Sequence, residues 1–85
     1  MLQETRNKID AIDEKMAKLF EERMNLVKEV ISLKKKADLP ILDSSREKKI
    51  IEMNEKNVSE EYRKYYIEFI KSMMDISKEY QNENL

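Results

Sequence analysis

Residues 2–36, LQETRNKIDAIDEKMAKLFEERMNLVKEVISLKKK, decide the fold of this chain. The stretch contains no Gly and no Pro, and its apolar residues recur in steps of three and four: Leu2, Ile9, Ile12, Met16, Leu19, Phe20, Leu26, Val27, Val30 and Leu33. This spacing predicts one amphipathic helix of roughly 50 Å. A compact chain of this size has a radius of gyration of only about 12 Å. The remaining residues cannot cover such a helix, so the sequence predicts a second copy of the chain against it.

Three cations interrupt this apolar stripe. At about 100° per residue, Arg23 and Lys34 fall near the middle of the apolar arc, and Arg6 falls nearer its edge. Burying an unpaired cation costs several kcal/mol. Each cation could extend its head group to water or pair with a carboxylate such as Asp13 or Glu47. Taken together, the three favour an enclosed site for an anion.

The composition narrows the function classes. The 85 residues fit one small domain, and 41% charged residues with no Gly and one Pro predict an all-α protein. The net charge of −1 provides no general basic field for nucleic acid or membrane, and residues 34–36, three lysines, point in different directions around their helix. Without Cys or His, we expect no disulfide framework, thiolate chemistry, imidazole base or metal site. No stretch resembles a signal peptide or membrane span, so we expect a cytoplasmic protein.

A second, shorter helix is predicted over residues 45–56. Pro40 lies in the preceding connection and disfavours helix at Leu39. Residues 44–47, Ser-Ser-Arg-Glu, form a capping-box pattern with Ser44 as N-cap and Glu47 at N3, and Asp43 is the alternative cap. This helix has little apolar content, so we expect it to lean on the first helix.

A third helix is predicted over residues 59–82, capped by Ser59. Its apolar stripe consists of Tyr62, Tyr66, Phe69, Met73, Ile76 and Tyr80. Ser77 and Gln81 lie four residues apart along one edge, where their polar ends can converge on one point or serve as ordinary boundary residues. The apolar pattern of the chain is not strict enough for a simple coiled coil.

The order and spacing of the unusual polar residues resemble a known family. The motifs are Arg6-x-x-Ile9-x-x-Ile12-Asp13, Glu22-Arg23 followed by Val27 and Val30, Lys34, Pro40-Ile41-x-Asp43-x-x-Arg46-Glu47 and Ser77-x-x-x-Gln81. Together they cover nearly the whole chain and resemble the all-helical (AroQ-type) chorismate mutases. The resemblance implies three helices per chain in an intertwined six-helix homodimer with two shared active sites. It also implies an isomerase that converts chorismate to prephenate in the shikimate route to phenylalanine and tyrosine.

The resemblance further implies a role for each site residue. Arg6 would reach the partner's site, and Arg23 and Arg46 would bind the substrate carboxylates in their own chain's site. Lys34 and Gln81 would contact the ether oxygen. Glu47 would accept a hydrogen bond from the ring hydroxyl, and Ser77 would bond a carboxylate. Asp43 would contribute through the backbone N–H at the start of the second helix. The rearrangement needs no cofactor or proton relay, which suits a chain without His or Cys.

Two other functions remain open from the sequence. One is isochorismate-pyruvate lyase, a pericyclic elimination on the same scaffold with a similar set of cations. The other is a non-catalytic helical dimer that serves as an adaptor or regulatory module, for which Arg23 and Lys34 would be dispensable. The chain reads as a stand-alone mutase or as the mutase domain of a fusion enzyme.

Overall fold

The computed structural model describes residues 1–84, which form three helices: α1 (Leu2–Ala37), α2 (Ser44–Glu55) and α3 (Glu60–Glu83). No residue of this range lies in a strand, so the all-helical prediction is confirmed. The described chain measures 54 × 25 × 16 Å, and its radius of gyration is 15.7 Å. A compact chain of this length would have a radius of about 12 Å. Thus α1 extends well beyond the part of the chain that packs against it. No helix in residues 1–84 is both long enough and apolar enough to cross a membrane.

The end of α1 turns the chain sharply towards α2. The C-cap residue Asp38 has a left-handed conformation with φ 54°, and the backbone N–H of Leu39 donates to the carbonyl of Lys34 over 2.9 Å. Left-handed residues commonly close helices in this way, and Asp adopts the conformation more readily than most residues. Pro40 follows directly. These residues begin the connection that places Ile41 close to the Lys34 side chain.

Asp43, not Ser44, is the N-cap of α2. Its Oδ1 accepts hydrogen bonds from the backbone N–H of Arg46 over 3.0 Å and from the Ser45 hydroxyl over 3.1 Å. These two bonds, the backbone one foremost, lower the pKa of the Asp43 carboxyl below its ordinary value. The prediction of Ser44 as the cap is therefore wrong, because the Asp43 carboxylate takes the N–H that a capping residue would bind. The Glu47 side chain pairs with another helix instead of completing a capping box.

α3 packs against both other helices and connects them. Within the described residues α1 and α2 do not pack on each other, so the prediction that the second helix leans on the first is wrong. The turn between α2 and α3 is tied by Arg63, whose Nε donates to the carbonyls of Glu55 and Val58 over 3.0 and 2.8 Å. These bonds satisfy the carbonyl of the last residue of α2 and one carbonyl of the turn that follows it. The short turn thereby directs α2 back along α3, which leaves a space between α1 and α2.

The buried apolar core of the single chain is small. It consists of Val27 and Ile31 from α1 with Ile70 and Met74 from α3. Of the apolar stripe predicted for the first helix only Val27 is buried, while Ile31 lies outside that stripe. The reason is that α3 covers only part of α1.

A continuous apolar surface remains along the rest of α1 and α3. Leu19 is 60% exposed, Phe20 45% and Phe69 53%. Met16, Phe20, Phe69, Met73 and Ile76 line a groove between the two helices. Monomeric proteins rarely leave a large contiguous apolar surface in water. No residue of the stripe predicted for the third helix is buried in the single chain, and Tyr62, Phe69 and Ile76 are exposed.

Candidate active site

A cleft of about 290 Å³, lined by both charged and apolar side chains, lies between the three helices. This volume is close to the lower limit of about 300 Å³ for typical small-molecule sites. Each helix contributes one face to the cleft. On α3 the lining residues are Met74, Ser77, Lys78 and Gln81, which follow the i, i+3, i+4, i+7 spacing of a single helical face. Every lining side chain is therefore held by regular helix or by the connection directly after α1.

Arg23 of α1 is held in the cleft by α3. Its Nη1 donates a 2.7 Å hydrogen bond to Oγ of Ser77, and Oγ of Ser77 donates a 3.0 Å bond to the carbonyl of Met73. The hydroxyl group of Ser77 thus positions the guanidinium group and is itself only 5% exposed. Arg has five N–H donors, so most of them remain for a ligand. Contact between Ser77 and a ligand would compete with one of these two bonds.

Lys34 lies eleven residues further along α1 and projects into the same cleft. Its Nζ donates to the carbonyl of Ile41 over 2.7 Å, which fixes the ammonium group beside the start of α2. An ammonium group has three donors, so two remain after this bond. None of the ion pairs formed by residues 1–84 involves Lys34. Within the described residues, Lys34 is therefore not paired with a carboxylate of its own chain.

Glu47 of α2 forms an ion pair with Lys78 of α3, and both residues line the cleft. Its Oε1 lies 3.0 Å from Nζ of Lys78, and the same Nζ lies 3.2 Å from Oδ1 of Asp75. These two hydrogen bonds, that with Glu47 foremost, raise the pKa of Lys78 above its ordinary value. Sequence reasoning missed Lys78. Its spacing from Ser77 and Gln81 on one helical face is the signal that places it beside them.

Gln81 closes the cleft on the α3 side. It is 7% exposed, and its Oε1 is buried without a hydrogen-bond partner among the described residues. A buried acceptor without a partner costs about 1–3 kcal/mol. Oε1 of Gln81 is therefore an acceptor that a hydrogen-bond donor in the cleft would stabilise.

The cleft is cationic although the chain is not. Among residues 1–84, four cations and two carboxylates line it, a formal charge of +2 against −1 for the whole chain: Arg23, Lys34, Arg46, Lys78, Asp43 and Glu47. Arginines form forked contacts with carboxylates, and a lysine supplies a compact positive charge. Among residues 1–84 no group of three or more Asp or Glu is arranged to hold a metal ion. The arrangement suits a small organic dianion.

The structure brings together seven of the eight residues singled out from the sequence and separates Arg6 from them. Arg6 is exposed on α1, and its position lies about 25 Å from that of Arg23 along the helix axis. It does not line the cleft of its own chain.

Comparison with known proteins identifies the family. The chain matches the family described as "Chorismate mutase type II" over residues 5–82. It is 49% identical to a protein named "Chorismate mutase" from Methanocaldococcus jannaschii over 49 residues, which cover 58% of this chain and 50% of that protein. It is 45% identical to a "Bifunctional chorismate mutase/prephenate dehydratase" from Aquifex aeolicus over 51 residues, which cover 60% of this chain and 14% of that protein.

These matches span half or less of each relative's length. No solved structure matches the chain significantly. The family match, in contrast, extends over nearly all of the described residues and includes every residue of the cleft. The chain therefore belongs to the type II chorismate mutase family.

Proposed function

We propose that this chain catalyses the rearrangement of chorismate to prephenate in the cleft between its three helices. The observation that carries the proposal is the cleft's formal charge of +2 in a protein of net charge −1. Chorismate carries two carboxylates, so its charge complements that of the cleft. Membership of the type II chorismate mutase family supports the same substrate.

The proposed reaction is unimolecular and balances without a co-reactant. The ether C–O bond of chorismate breaks while a new C–C bond forms between the side chain and the ring. No proton, nucleophile or electron acceptor takes part. The protein's role is to hold the substrate in the folded conformation that brings the two carbon atoms together, and to stabilise the charge that develops as the bonds rearrange.

Each cation of the cleft has a different role, which depends on its position. Arg23, fixed by Ser77, and Arg46 at the start of α2 bind the two carboxylates. Lys34, fixed by the carbonyl of Ile41, donates to the ether oxygen, which becomes more negative as its bond to carbon breaks. Because that charge develops during the reaction, the contact is stronger in the transition state than in the bound substrate.

The remaining polar groups orient the ring. Gln81 lies buried on the α3 side of the cleft, and its Nε2 group donates to the ether oxygen together with Lys34. Glu47 accepts a hydrogen bond from the ring hydroxyl. Asp43 caps α2 with its carboxylate, so its contribution to binding comes through the backbone N–H at the helix start.

The proposed active form is a homodimer. The exposed apolar surface on α1 and α3 supports this form, because a second copy of the chain would bury it. The position of Arg6 supports it too, because this residue is too far along α1 to reach its own cleft. In the dimer Arg6 completes the partner's cleft and adds a further cation to it.

The direct test is the loss of chorismate absorbance on mixing with purified protein, with prephenate identified by its conversion to phenylpyruvate in acid. We expect Lys34→Ala to lower kcat about 100- to 1,000-fold, as expected when a donor to a developing oxyanion is removed. Lys35→Ala is the matched control, because Lys35 is exposed on α1 and does not line the cleft.

Wild-type turnover in the Lys34→Ala variant would refute the role given to that ammonium group. An inactive wild type would refute the proposed function. Release of pyruvate from isochorismate would then identify the lyase, and inactivity with both substrates would leave a binding module.

A further inference from the structure

Lys78 is a cleft residue to which the proposed function gives no task. It lies on the same face of α3 as Ser77 and Gln81, and its side chain is 29% exposed. Its Nζ is engaged by two carboxylates, Glu47 at 3.0 Å and Asp75 at 3.2 Å. Both distances are those of hydrogen-bonded ion pairs. The ammonium group is thus directed at protein carboxylates, with one of its three donors left.

The Glu47–Lys78 pair joins α2 and α3. It lies where the proposed function requires the Glu47 carboxylate to stay in place as the acceptor for the ring hydroxyl. Glu47 lies in the first turn of α2, and Lys78 lies on α3. The pair uses Oε1 of Glu47, and no hydrogen bond from the described residues reaches the other carboxylate oxygen. Glu has several rotatable bonds, so a free Glu47 side chain would sample conformations that point away from the cleft.

The charged surroundings of Glu47 make this restraint necessary. Arg23 and Lys34 line the cleft from α1, Arg46 precedes Glu47 on α2, and Lys78 approaches from α3. Any of the first three could draw the carboxylate towards itself and neutralise a charge that the substrate needs. Within the described residues Glu47 pairs with none of these three.

Asp75 fixes the direction of Lys78. It precedes Lys78 by three residues on α3, and its side chain is 72% exposed, so it lies at the outer rim. It holds the ammonium group from the solvent side, whereas Glu47 holds it from the cleft side. This arrangement resembles other sites in which a second layer of hydrogen bonds orients the groups that contact the ligand.

We propose that Lys78 is a positioning residue that holds Oε1 of Glu47, so that the other carboxylate oxygen faces the cleft as the acceptor for the substrate hydroxyl. The inference rests on the proposed mutase function. It separates Lys78 from Arg23, Lys34 and Arg46, because Lys78 acts through Glu47 and not on the substrate. It also explains how a half-buried first-turn glutamate keeps one orientation beside so many cations.

The test is a double-mutant cycle in the full chain, measured as kcat and KM for chorismate. We expect Lys78→Met, which keeps the aliphatic stem, to lower kcat/KM about 10- to 100-fold, because small displacements of a substrate-orienting group have effects of this size. In the Glu47→Gln background the same substitution should change kcat/KM by less than about twofold, because the two residues act as a unit. Lys78→Arg should restore most of the activity.

Two controls separate positioning from folding. Lys71→Met removes an exposed lysine from the same helix and should leave kcat/KM unchanged. Far-ultraviolet circular dichroism and the melting temperature should be nearly the same for Lys78→Met and Lys71→Met, because partly exposed ion pairs contribute little to stability.

Different outcomes overturn different proposals. A wild type without turnover refutes the proposed function and this role with it. An active wild type with an unchanged Lys78→Met variant refutes the positioning role alone. A rise in KM that persists in the Glu47→Gln background would show that Lys78 binds the substrate directly. If Glu47→Gln has no measurable activity, failure of Lys78→Arg to restore turnover refutes the proposal.

Discussion

Mixing two inactive variants should restore activity if Arg6 serves the partner's cleft. The perturbation pairs Arg6→Ala with Lys34→Ala, each of which we expect to lower kcat about 100-fold or more in its own homodimer. Arg6 lies about 25 Å from Arg23 along α1, far beyond the reach of a side chain. In a mixed dimer the Arg6→Ala chain keeps its own Lys34 and receives Arg6 from its partner. One of the two clefts is then complete.

The expected recovery follows from the symmetry of the dimer. Random pairing makes half of the dimers mixed, and half of their clefts are intact, so turnover should return to about a quarter of the wild-type value. The assay is loss of chorismate absorbance after equimolar variants are unfolded together in denaturant and refolded by dilution. Wild-type protein treated in the same way sets the reference.

A second mixture provides the control for this experiment. Arg23→Ala with Lys34→Ala places both defects in residues that line one chain's own cleft. Every mixed dimer then contains two damaged clefts, and no recovery is expected. Equal recovery in the two mixtures, or none in either, would refute the shared-site arrangement.

Three further predictions concern stability and assembly. Met74→Ala should lower the free energy of unfolding by about 2–5 kcal/mol, measured by urea denaturation, because Met74 is one of the few buried apolar residues. Leu19→Glu should yield a mass near 10.3 kDa in sedimentation, where the wild type gives twice that; an unchanged mass would exclude Leu19 from the interface. The lowered pKa of Asp43 stabilises the fold above the ordinary Asp pKa of about 3.9, and this contribution disappears as the pH falls through the lower folded value. The urea midpoint of Asp43→Asn should therefore lie below that of the wild type at pH 6 and approach it as the pH falls through the folded pKa of Asp43. A gap that is independent of pH would show that the charge of Asp43 is irrelevant.

The all-helical fold class and many residues of the cleft were predictable from composition and from the spacing of residues along the sequence. The absence of Gly and the single Pro indicated helices, and apolar spacing located them to within a residue or two of their observed bounds. The i, i+4 spacing of Ser77 and Gln81 placed both on one helical face, and they lie together in the cleft. Periodicity succeeds here because a helix of fixed pitch converts sequence spacing directly into direction.

It was harder to predict which of several neighbouring polar side chains caps a helix. Asp43 and Ser44 are both good N-cap residues, and the structure selects Asp43 because its carboxylate reaches the backbone N–H of Arg46. This choice leaves Glu47 available to pair with Lys78. The sequence pattern could not distinguish the capping box from a cleft residue, because both place Glu in the first turn of a helix.

The sequence by itself determined three amphipathic helices, the apolar stripe of the longest one and the cations that interrupt it, because these depend on residue type and helical pitch. Tertiary structure alone decided that α2 packs on α3, that Ser77 holds Arg23, and that Lys78 holds Glu47. The last two contacts join residues far apart in the chain: Arg23 and Ser77 are separated by 54 positions, and Glu47 and Lys78 by 31. Helical periodicity states which way a side chain points on its own helix, but the path of the turns decides which other helix it meets.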